Sequence, residues 1–281
     1  MKKTVVSILM FFVTQLLGLV IAAGIVMAFK IIGALKSTDS IADGPLSLAM
    51  MYSEDIVPIT LSGMLISYVL LMLFFFKKNY VRPADFVAPA SGGLKMLAMA
   101  TVMIVAADFS INMLSSALGL ENQLEEEFLR MSSSVWAVFI IGIAGPIIEE
   151  TVFRRIVIDS LWTSYGRPWL GIVISAVLFG LVHMNPAQSV FAALIGIVYG
   201  WMYVRTGSML PGIIAHVANN TIGVFELRAV LQHPELADEV PFYQDPPMLT
   251  LFIVCAVLAL VAWRLLGPMP SALRTSRRRK T

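Results

Sequence analysis

Apolar residues in this chain come in long unbroken runs, and charged residues cluster between them. Eight runs stand out, at positions 5–32, 57–76, 96–120, 136–162, 169–184, 190–204, 210–225 and 251–266. About 20 apolar residues are what a helix needs to cross the hydrocarbon core of a bilayer. In that medium every backbone N–H and C=O must be paired internally, which leaves only helices and closed barrels. A barrel would show short segments of alternating polarity, so these runs read as helices. The pattern predicts an all-α, polytopic membrane helix bundle of about eight transmembrane helices. The first run is longer than the roughly 7–15-residue apolar core of a signal peptide, and reads as a retained helix.

The charges between the runs sort by sign. After the first, third and seventh runs they are acidic: Asp39, Asp43, Glu54 and Asp55; Glu121, Glu125, Glu126 and Glu127; Glu226, Glu235, Asp238, Glu239 and Asp245. The opposite ends carry Lys2, Lys3, Lys77, Lys78, Arg82, Arg167, Arg205 and a tail with Arg274, Arg277, Arg278, Arg279 and Lys280. The excess of Lys and Arg on one side puts both termini in the cytoplasm. The tail reads as a topology anchor that meets anionic lipid, not as a nucleic-acid motif.

Composition agrees with this pattern. Hydrophobic residues make up 58% of the 281 and charged residues 14%, against roughly 45–50% and about 25% in soluble domains. There is too little charge to cover a soluble surface, and the lone cysteine, Cys255, excludes a disulfide scaffold. No repeat or soluble segment interrupts residues 1–281, which read as a single integral membrane domain.

Ionisable groups are costly inside a bilayer, so those within the runs are functional candidates. The fourth run holds Glu149-Glu150-Thr151-Val152-Phe153-Arg154-Arg155 with Asp159 beyond, the fifth holds Phe179 and His183, and the seventh holds His216, Asn219 and Asn220. The third carries Asp108 and Asn112, four residues apart on one face. Residues four apart on a helix meet, so Glu150 pairs with Arg154 and Arg155 with Asp159. Glu149 lies about 100° round from Glu150 and has no basic partner one turn on, which leaves it as a candidate general base. Phe179 sits one turn before His183 and can fix its ring, and His216 and Asn220 share a face that can aim two donors at one spot. His233 falls in an acidic loop and reads as solvated. Trp136 and Trp162 read as interfacial belts, each 13 residues from Glu149. At 1.5 Å per residue that puts Glu149 about 20 Å from either belt, near the midplane.

Glu149-Glu150-x-x-x-Arg154, Phe179-x-x-x-His183 and His216-x-x-x-Asn220, in that order on membrane helices, resemble the CPBP (ABI) family of intramembrane proteases. That family includes the type II CAAX prenyl endopeptidases and many bacterial members. The resemblance covers residues 136–225, which would be the catalytic core. It implies that Glu149 and His183 activate a water, while His216 and Asn220 hold the oxyanion. Glu150, Arg154 and Phe179 would support the site. It also implies a membrane-bound or lipidated peptide as substrate, with a prokaryotic cytoplasmic membrane as the expected location.

Glu149, His183 and His216 could hold zinc with an open position. Against that, there is no His-Glu-x-x-His motif, Asn220 is a poor zinc ligand, and neither helical histidine has a carboxylate partner in sequence. The expectation is a cofactor-free, glutamate-dependent intramembrane endopeptidase. Two other classes compete with it: a proton-coupled transporter using Asp108, Glu149 and the histidines as a relay, and a non-enzymatic peptide-binding or immunity protein. The absence of repeated halves counts against a transporter.

Overall fold

Helix boundaries in this chain follow its prolines, glycines and one capping serine. Pro168, Pro186, Pro211 and Pro246 stand in the first turn of four helices, where a missing N–H costs nothing. Gly166 and Gly207 end two helices at φ 66° and 71°, the left-handed conformation that glycine adopts without strain. The Ser134 hydroxyl accepts from the Trp136 N–H and starts the longest central helix.

A computed structural model describes residues 2–36, 55–86, 93–120, 122–234 and 242–266. Among these the chain is a helical bundle without strands. In chain order the helices are α1 (Lys2–Lys36), α2 (Ile56–Lys77), α3 (Gly93–Ser116) and the short α4 (Glu125–Ser132). They continue as α5 (Val135–Tyr165), α6 (Pro168–Leu181), α7 (Pro186–Thr206), α8 (Leu210–Gln232) and α9 (Pro246–Leu265). Each of the eight apolar runs falls on a helix. Six helices, α1, α2, α3, α5, α7 and α9, are long and apolar enough to cross a membrane. α6 has only 14 residues, and α8 carries His216, Asn219, Asn220, Glu226 and Arg228 among its apolar residues. The chain is a multi-pass integral membrane protein. Its outer faces carry exposed Phe29, Leu73, Leu94 and Leu260, side chains suited to lipid.

α1 lies along α2, α6 along α7, and α9 along α3. Between membrane helices there is little hydrophobic driving force, so small residues that allow close backbone approach do much of the work. A Cβ on Gly18 would lie 2.2 Å from the Gly63 carbonyl oxygen, and one on Gly180 would lie 2.6 Å from that of Ser189. α5 crosses the centre, and Phe153, Val152, Ile156 and Val157 are fully enclosed there.

Three sequence-based expectations change. Trp162 is buried against Ile172, Tyr203 and Met209, so it is a core residue and not an interfacial belt, whereas Trp136 is exposed. The measure of depth that used Trp162 therefore falls. α6 ends at Leu181, so His183 sits in the turn into α7 and not inside a helix; Met184 there has φ 49°. α3 ends at Ser116, short of residue 120. Asp39, Asp43, Glu54, Glu121, Glu235, Asp238, Glu239 and the basic tail lie outside the described residues.

Candidate active site

α5 positions the two glutamates where its hydrogen bonding changes. Residues Gly145–Glu149 are α-helical, flanked by π-helical segments at Val138–Ala144 and Glu150–Ile158. π segments within α-helices are rare and recur at functional sites. Glu149 and Glu150 straddle the junction, and His216 of α8 lies between their carboxylates. Its Nε2 is 3.5 Å from Glu149 Oε2 and its Nδ1 is 3.2 Å from Glu150 Oε1. The sequence left Glu149 without a basic partner on its own helix; the partner comes from another helix.

Glu150 and Arg154 form the expected pair at 3.2 Å, both almost completely buried. The Arg154 guanidinium lies over two aromatic faces, 4.4 Å from the Phe179 ring centre and 5.1 Å from that of Tyr199. Cation–π contact of this kind favours a desolvated cation. The same two rings flank His216, at 5.8 Å and 5.4 Å. Phe179 also meets His183 edge-on at 5.1 Å, as its spacing predicts. It thus holds both histidines and Arg154.

His183 Nδ1 lies 2.7 Å from the Phe179 carbonyl oxygen. A carbonyl only accepts, so Nδ1 carries the proton, and in the neutral form of the ring the lone pair then lies on Nε2. Asn220 donates one amide N–H to the Ile141 carbonyl at 3.3 Å and accepts from the Asn219 amide at the same distance. One Asn220 N–H remains.

These side chains come together. Glu149, His183, His216 and Asn220, from α5, the α6–α7 turn and α8, line one cavity of about 280 Å³. Phe179 lines it too, and Glu150 and Arg154 lie behind it, supporting His216. Much of the remaining wall is apolar, from Met64, Phe128, Ile141, Phe191, Ile195 and Leu227.

Residues 131–222 match the family model described as type II CAAX prenyl endopeptidase Rce1-like. The cavity is built chiefly by this Rce1-like segment. A protein of Bacillus subtilis (strain 168) named "Putative membrane peptidase YdiL" is 29% identical over 120 residues, which is 42% of this chain and 49% of that protein. The match thus spans about half of the relative's length. No solved structure matches the chain. The resemblance read from the three motifs therefore holds over the segment that carries them.

Helices outside the Rce1-like segment complete the site. Tyr68 of α2 lines the cavity. Asp108 of α3 accepts a hydrogen bond from the Tyr199 hydroxyl and so fixes a ring that touches His216. Sequence reasoning missed Tyr68 and Tyr199, because a tyrosine within an apolar run has neither charge nor a distinctive spacing. Asn112, on the Asp108 face in sequence, is exposed and takes no part in the cavity.

Among the described residues no three His, Cys, Asp or Glu side chains gather as an ion-binding group. His216 turns one nitrogen to each glutamate, and His183 Nδ1 is engaged by a backbone carbonyl.

Proposed function

We propose that the protein is an intramembrane endopeptidase that hydrolyses a peptide bond in a membrane-bound or lipidated peptide by a glutamate-dependent route without a cofactor. One observation carries the reading: four polar residues up to 71 positions apart, Glu149 to Asn220, line a single largely apolar cavity. The Rce1-like match and the name of the Bacillus subtilis relative support the same class.

The chemistry follows from the site. Glu149 Oε2 is buried against His216, and the rest of the carboxylate faces the cavity. Glu149 takes a proton from water as the water oxygen bonds to the scissile carbonyl carbon and the C=O π pair moves onto oxygen. His183 Nε2 accepts from the second water O–H and aims it. The spare Asn220 N–H donates to the oxyanion. When the intermediate collapses the C–N bond breaks, and the leaving nitrogen takes the proton from Glu149. His216, fixed between the glutamates, orients Glu149. The apolar wall takes the side chains of a hydrophobic peptide.

The test is purified protein in detergent with a panel of lipidated and transmembrane peptides. At least one peptide should be cut, and Glu149→Gln and His183→Ala should each abolish cutting with thermal unfolding unchanged. Cleavage that survives both substitutions would overturn the reading. Solute flux in proteoliposomes that needs Glu149, without cleavage, would replace it with a transporter.

A further inference from the structure

The cavity holds one more hydroxyl that can donate to the oxyanion. An oxyanion hole works by aiming preorganised donors at the developing charge. Of the residues the sequence offered for this task, His216 has its Nδ1 3.2 Å from Glu150 Oε1, and Asn220 has committed one of its two N–H groups to Ile141. His183 presents a lone pair, not a proton.

Tyr68 adds a further donor. It reaches the cavity from α2, is 95% buried, and its hydroxyl has no hydrogen-bond partner among the described residues. Its oxygen rests against Gly145, where an added Cβ would come within 3.3 Å of it. Gly145 stands one helical turn before Glu149, a rise of about 6 Å. The hydroxyl of α2 therefore packs against α5 one turn before Glu149. Gln188 is another polar group on the cavity wall, but it belongs to the first turn of α7, beside the His183 turn.

We infer that Tyr68 is a catalytic residue, donating its O–H to the oxyanion alongside Asn220. The inference rests on the peptidase reading. A side chain at position 145 would press on the donor, since an added Cβ would meet its oxygen at 3.3 Å. The inference also gives α2, outside the Rce1-like segment, a part in the chemistry.

Two measurements test it. In the first, Tyr68→Phe and Glu149→Gln are assayed on the same cleaved peptide. Tyr68→Phe should lower kcat on the order of 100-fold with KM and thermal unfolding unchanged, the loss expected for one oxyanion donor. Gly145→Ala should lower kcat less, by moving the hydroxyl without removing it. A Glu149→Gln protein that still cleaves defeats the glutamate-dependent route on which the inference rests. A dead Glu149→Gln beside a Tyr68→Phe of wild-type kcat defeats the Tyr68 role alone. The second measurement needs no turnover. Binding of an acetylated tetraleucine amide is compared with that of its phosphinic analogue, whose tetrahedral P–O⁻ mimics the oxyanion. The wild-type protein should prefer the analogue, and Tyr68→Phe should lower that preference about 10-fold or more with amide binding unchanged. An equal preference in both proteins, or none in the wild type, overturns the inference.

Discussion

Arg154 shows how much of the site rests on single side chains. It is 1% exposed, is paired with Glu150, and lies over the rings of Phe179 and Tyr199. Removing one member of a buried pair leaves the other charged and unmatched, at a cost of about 3–5 kcal/mol. Arg154→Met should lower thermal stability in detergent by about that amount. Adding Glu150→Gln should recover part of it, since the stranded carboxylate is then gone; an unchanged melting temperature in the single variant would contradict the account. Local pairs such as Glu150–Arg154, Arg155–Asp159 and Phe179–His183 were legible in the sequence because helical spacing fixes them. The contacts of His216 were not, since its partners lie 66 and 67 residues away on another helix. Arg155 shows both cases: Asp159 is its expected partner, but Asp85, 70 residues away, joins at 3.1 Å.

At the scale of elements, the apolar runs located the helices well and their ends less well. Length and apolarity set the spans, while α6 stops at Leu181 because the chain turns back tightly into Pro186. The turn places His183 on the cavity wall. The π-helical character of α5 has no signature in a periodic reading, because it depends on how the neighbouring helices pack. Close packing of α1 on α2 depends on Gly18, whose place a Cβ cannot take without striking the Gly63 carbonyl. Gly18→Val should therefore destabilise the fold by about 1–3 kcal/mol, read as a lower melting temperature in detergent. A variant that melts like the wild type would mean that α1 does not pack on α2 this closely. α2 carries Tyr68, so cleavage should fall as this packing loosens.

For the whole molecule, most of the charge among the described residues lies near helix ends, and a small remainder is enclosed. Asp108, Glu150 and Arg154 are buried, and Glu149 faces the cavity among apolar walls. The sequence identified that remainder because charge inside a bilayer is expensive and stands out. It did not reveal Tyr68 and Tyr199 around it, whose rings and hydroxyls cost little in the same setting. The Rce1-like segment supplies Glu149, His183 and His216, and α2 and α3 supply Tyr68 and the Asp108 support of Tyr199. The most direct test of the central claim compares the terminal peptides of membrane proteins in cells carrying the wild-type chain with those in cells carrying Glu149→Gln at equal abundance. The account predicts a set of new termini, from membrane-bound or lipidated substrates, that is present with the wild type and missing with the variant. Identical sets of termini in the two cells would contradict it.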